Sequence, residues 1–122
     1  MKRLSIIILT LGLSAVGTSL VEAHAFLDHA EPRVGSLVAS SPSVVKIWFT
    51  DGLRKNGSRI EVFDAKGQRV DKGDVSIDAV DKSIMQVSVP RLAAGPYKVV
   101  WNAVCPLGHH TSGSFVFEVK SP

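Results

Sequence analysis

Gly95-Pro96-Tyr97-Lys98-Val99-Val100-Trp101-Asn102-Ala103-Val104-Cys105 is the stretch that decides the fold. Tyr97, Val99, Trp101, Ala103 and Cys105 occupy every second position. An extended chain points all five to one side, whereas a helix would scatter them around its axis. The Gly95-Pro96 pair marks a turn at its start.

The same alternation recurs on both sides of this stretch. Val45, Ile47 and Phe49 alternate with Lys46, Trp48 and Thr50; Ile60 and Val62 with Arg59 and Glu61. Met85, Val87 and Val89 alternate with Gln86 and Ser88; Phe115, Phe117 and Val119 with Ser114, Glu118 and Lys120. Each segment buries one face and wets the other, as antiparallel sheets do. Turn signals separate them at Glu31-Pro32, Ser41-Pro42, Asn56-Gly57, Lys66-Gly67, Lys72-Gly73 and Gly108. No sustained helical period interrupts the pattern. About seven short strands at this spacing predict an all-β fold: a small two-sheet antiparallel β-sandwich, immunoglobulin-like in its Greek-key layout, or a small Greek-key barrel. The cysteine pair of true immunoglobulin domains is absent, because Cys105 is the single cysteine of the 122 residues.

Residues 1–23 read as a secretory signal peptide. Lys2 and Arg3 precede an apolar run from Leu4 to Val16, and Val21-Glu22-Ala23 ends on a small residue. The run falls short of the ~20 apolar residues that a spanning helix needs. Residues 24–122 then form one domain. Lys and Arg number 14 against 11 Asp and Glu, a net charge of +3. The basic residues are scattered, so no nucleic-acid partner is expected, and a monomer is. There is no nucleophile–base pair, phosphate loop or paired carboxylate set, so the chain is not expected to be an enzyme.

The four histidines concentrate the chemistry: His24 and His29 after the leader, His109 and His110 near the C-terminus. Cleavage after Ala23 makes His24 the first residue. A terminal amine has a pKa of about 7.7–8 and deprotonates more easily than lysine. Amine and imidazole of one residue then chelate one ion, and a further histidine adds a third nitrogen. Nitrogen-rich tetragonal geometry favours Cu(II). His24 and His29 point to opposite faces of an extended strand, and adjacent His109 and His110 diverge likewise. The economical set is His24 with one of His109 and His110.

At this point the residues resemble the CopC-type periplasmic copper-resistance proteins. The resemblance is carried by His24-Ala25-Phe26, Ala30-Glu31-Pro32, Gly35-Ser36 and Trp48-Phe49-Thr50. Gly95 to Trp101, Gly108-His109 and Ser112-Gly113-Ser114-Phe115 add to it. It implies a cupredoxin-like sandwich, a periplasmic copper carrier or buffer, and a CopD-type membrane partner. It implies Cu(II) ligation by His24 and matches His109 to the second histidine. The position where such proteins carry an Asp ligand is Leu107 here. Asp51, after Phe49-Thr50, and the extra His110 are the candidates to compensate. An apolar Leu107 in place of a carboxylate is expected to lower Cu(II) affinity and to ease reduction to Cu(I). Cys105 is either a core residue, as its phase suggests, or a soft Cu(I) ligand. The single methionine after the leader, Met85, is in phase with Val87 and Val89, so a methionine-rich Cu(I) site is not expected. Two other classes compete with the carrier: a copper monooxygenase with a histidine brace, and a metal-free interaction domain with a decayed site.

Overall fold

The computed structural model describes residues 24–122; the signal-peptide reading of residues 1–23 lies outside them. The described residues form eight strands, five of them (β3, β4, β6, β7 and β8) where the alternation runs: β1 (Leu27–Glu31), β2 (Leu37–Val38), β3 (Val44–Phe49), β4 (Arg59–Phe63), β5 (Ser76–Ile77), β6 (Ile84–Ser88), β7 (Gly95–Val104) and β8 (His110–Val119). They make two four-stranded sheets, in the orders β1-β3-β6-β5 and β2-β8-β7-β4. The fold is the all-β sandwich that the alternation predicts.

Pairing is antiparallel except between β2 and β8, where Leu37 and Val38 lie parallel to Glu118 and Val119. β2 and β5 hold two residues each, too few to show a period. β1 carries a register shift between Leu27 and His29 against β3. A bulge of this kind leaves two residues opposite one and breaks the alternation.

The inward phase supplies the core. Val45, Ile47, Ile60, Val62, Met85, Val87, Val99 and Phe117 are fully buried between the sheets. Burial of apolar surface at about 25 cal/mol per Å² is the main stabilising term. Trp101 on β7 meets Phe49 on β3 edge to face across the sandwich, with ring centroids 5.2 Å apart. Its register partner on β8 is Gly113. A methyl group there would lie 2.6 Å from Trp101 Cζ2, so only glycine lets the indole lie against β8. Cys105 is free and fully buried, as its phase with Trp101 predicts.

Candidate metal centre

The centre is built from one face of β8 and the segment before β1. Along β8, Phe115, Phe117 and Val119 are buried while His110, Ser112, Ser114, Val116 and Glu118 are exposed. Odd positions of β8 therefore face inward as far back as the half-buried Thr111. His110 falls on the outward face. His109 lies in the turn just before the strand and is exposed as well, so its place at the site comes from that turn and not from strand parity.

Two fastenings bring the N-terminal segment to the same end. Thr111 Oγ1 donates to the carbonyl of Ala25. Phe26 and Thr50 exchange bonds: Phe26 N–H donates to Thr50 Oγ1 at 2.9 Å, and Thr50 N–H donates to the Phe26 carbonyl at 2.8 Å. Ala25 is buried, leaving His24 half-buried above it. On the other side, a tight hairpin turn carries His109. Cys105 N–H donates to the His109 carbonyl at 3.1 Å and Gly108 N–H to the Cys105 carbonyl at 2.8 Å. Gly108 closes this turn with φ at +89°, a conformation that favours glycine.

The outcome is a pair of rings. The imidazoles of His24 and His109 lie with centroids 4.8 Å apart and planes inclined at 75°. An ion about 2.0 Å from a nitrogen of each ring lies roughly 3 Å from each centroid, so rings sharing it stand roughly 4–6 Å apart. The observed spacing fits. Phe26 flanks His24 at 6.2 Å, edge to face. Phe26 and Leu107 are 54% and 73% exposed, so the rim of this end is apolar.

The remaining sequence candidates lie differently. Asp51 follows Thr50 past the end of β3, and its Oδ1 accepts the Gly52 N–H at 2.8 Å. Among the described residues, no three His, Cys, Asp or Glu side chains converge on one point. His24 and His109 are therefore not joined by Asp51, His110 or the buried Cys105 in a three-side-chain cluster. His29 lies on the outer face of its sheet, stacked on Trp48 at 4.4 Å with Nδ1 2.7 Å from Asp28 Oδ2. That stack, together with Lys46 Nζ 5.0 Å from the indole centre, accounts for the outward phase of Trp48. Thr111 was not foreseen from the sequence, although its in-phase spacing two residues from His109 was the available signal.

A shallow hollow of about 500 Å³, lined by Phe63, Tyr97, Lys98, Val100 and Val116, opens near the start of β7. The histidine pair is at the other end of that strand, so the hollow and the donors are separate features.

Fold and site together define a class: a small two-sheet β-sandwich with an imidazole pair at one end. The CopC domain signature matches residues 27–120, and the chain belongs to that family. It is 32% identical over 98 residues to the copper transport protein CutJ of Bacillus subtilis, an alignment covering 80% of this chain. The chain spans only 18% of that protein's length. The crystal structure of CopC from Methylosinus trichosporium OB3b superposes with a TM-score of 0.76 at 32% identity, covering 80% of this chain and 95% of that one. PcoC, a methionine-rich copper-resistance protein from Escherichia coli, superposes with a TM-score of 0.71 at 30% identity, covering 80% of this chain and all of that one. The relatives' names place this family in copper resistance and copper transport.

Proposed function

We propose that this protein is an exported copper carrier or buffer. Removal of residues 1–23 leaves His24 as the first residue, and the domain works in the periplasm. It binds Cu(II) through the His24 amine, the His24 imidazole and the His109 imidazole. The carrying observation is the 4.8 Å approach of those two rings. Both come from segments that the fold fastens, one by Thr111 and Thr50, the other by the hairpin at Gly108.

Asp51 and His110 stand outside this three-nitrogen set, Asp51 engaged with Gly52 and His110 on the outward phase of β8. The copper is cargo, and the reading assigns the domain no catalytic step. A CopD-type membrane protein is the proposed recipient. With Cys105 buried and Met85 in the core, sulfur ligands for Cu(I) are out of reach, so Cu(II) is the proposed resting cargo.

Copper titration of protein beginning at His24 tests the reading. One equivalent of Cu(II) is expected to bind. His109→Ala is expected to weaken it about 100-fold or more, since loss of mere outer-shell support already costs about 10–100-fold. No stoichiometric binding, or an unchanged affinity in His109→Ala, contradicts it. Asp51→Asn and His110→Ala are expected to change affinity much less.

A further inference from the structure

In the copper reading the histidine pair and the His24 amine supply three nitrogens, and among the described residues no third His, Cys, Asp or Glu joins the pair. A tetragonal ion takes a fourth ligand, which that reading leaves to another group. What surrounds that end is not neutral. The segment after β3 crosses from one sheet to the other there. Leu53 N–H bonds the Lys82 carbonyl and Arg54 N–H bonds the Val104 carbonyl, at 2.9 and 2.8 Å.

This crossing puts Arg54 over the hairpin that carries His109. A Cβ built on Gly108 would lie 3.7 Å from Arg54 Nη1, one residue from His109. Arg54 is exposed, and its Nε donates to the Asn56 carbonyl at 3.2 Å. Among the described residues neither terminal nitrogen meets a carboxylate, although Asp51 is three positions away. A guanidinium fork suits a carboxylate better than any other common partner, because its parallel N–H groups match the two oxygens. Lys55 and Lys82 extend the positive charge along the same crossing, and the exposed Leu107 precedes Gly108 in the hairpin.

We propose that the open coordination place takes a carboxylate in trans, guided by Arg54. The inference rests on the copper reading above. The ligand class is a carboxylate, borne either by a small organic acid or by an acidic side chain of a partner protein. One oxygen meets the copper and the other faces the guanidinium. Arg54 then acts as a positioning residue, selecting anionic ligands and making ternary recognition depend on the loaded state.

The test uses protein beginning at His24 loaded with one equivalent of Cu(II). Its electron paramagnetic resonance spectrum is followed while acetate, or a short Glu-rich peptide, is added. The expected result is a saturable change in the copper parameters. Its half-point is expected to rise about tenfold in Arg54→Gln, as loss of one charge-assisted bond implies, with Arg54→Lys between. The carboxylate-free spectrum of Arg54→Gln should match the unaltered protein, which confirms an intact site. Asp51→Asn should leave the response in place. A stronger response to the peptide assigns a protein carboxylate; an equal one assigns a small acid. A normal nitrogen-ligated spectrum with no carboxylate response, or an equal response in Arg54→Gln, overturns this inference alone. Absence of the nitrogen-ligated spectrum before any carboxylate is added overturns the copper reading with it.

Discussion

Gly113 shows how a single residue without a side chain governs the site. It lets Trp101 lie against β8, and β8 in turn directs Thr111 inward and follows the turn that carries His109. A methyl group at this position would sit 2.6–3.1 Å from three atoms of the indole. Overpacking of this kind costs about 1–3 kcal/mol. Gly113→Ala is therefore expected to lower the unfolding free energy from urea titration by that amount and to shift the tryptophan emission, while Gly67→Ala, at an open turn, should leave the emission unchanged. His109 and His110 make the same point about position. They are identical in chemistry and both exposed, yet it is the His109 ring, carried by the turn before β8, that meets His24. The sequence narrowed the site to these histidines. It did not foresee Thr111 or Arg54, whose roles depend on carbonyls and glycines that are distant in the chain.

At the scale of elements, β7 and the second half of β8 were legible from their apolar alternation, whereas the first half of β8, His110 to Gly113, has no apolar residue to show a period and His110 reads as loop. β3, β4 and β6 were legible for the same reason. β2 and β5 were not, since two residues show no period, and the bulge in β1 hides its alternation. The element that matters most for function is the N-terminal segment before β1, which lacks regular structure of its own. It is held by the Thr111 hydroxyl and by the double bond exchange of Phe26 with Thr50. Thr111→Val removes the first fastening while keeping the shape of the side chain. It leaves the Ala25 carbonyl without that partner, at a cost of about 1–3 kcal/mol. The expected outcome is a lower melting temperature together with several-fold weaker Cu(II) binding. An unchanged affinity would separate the fastening from the site.

The whole molecule rests on its sandwich core, and its acid limit follows from carboxyls that hydrogen bonds hold below their ordinary value, Asp74, Asp78 and Asp81 at the surface and Asp71 with its side chain buried. Asp71 has a fully buried side chain. Burial alone would raise its pKa. Bonds from the Arg69 guanidinium and from the Val62 and Gly73 amides outweigh that and hold it below the ordinary value of 3.8. A carboxyl whose pKa is lower folded than unfolded stabilises the fold above the unfolded value. That contribution is lost as pH falls from there through the folded value. Stability is therefore expected to hold at neutral pH and to decline below about pH 4. Asp71→Asn should cost about 1.5–3 kcal/mol at pH 7 and flatten the acid decline. Urea midpoints measured across pH 2–7 check both.

In the proposed reading, copper binding depends on where the chain begins, because the amine of His24 is free only once residue 23 is removed. The most direct measurement is Cu(II) electron paramagnetic resonance on protein beginning at His24, compared with protein bearing one extra residue before it. Three-nitrogen hyperfine structure in the first and an altered, weaker-field spectrum in the second is the predicted result. Identical spectra from the two proteins would contradict the account.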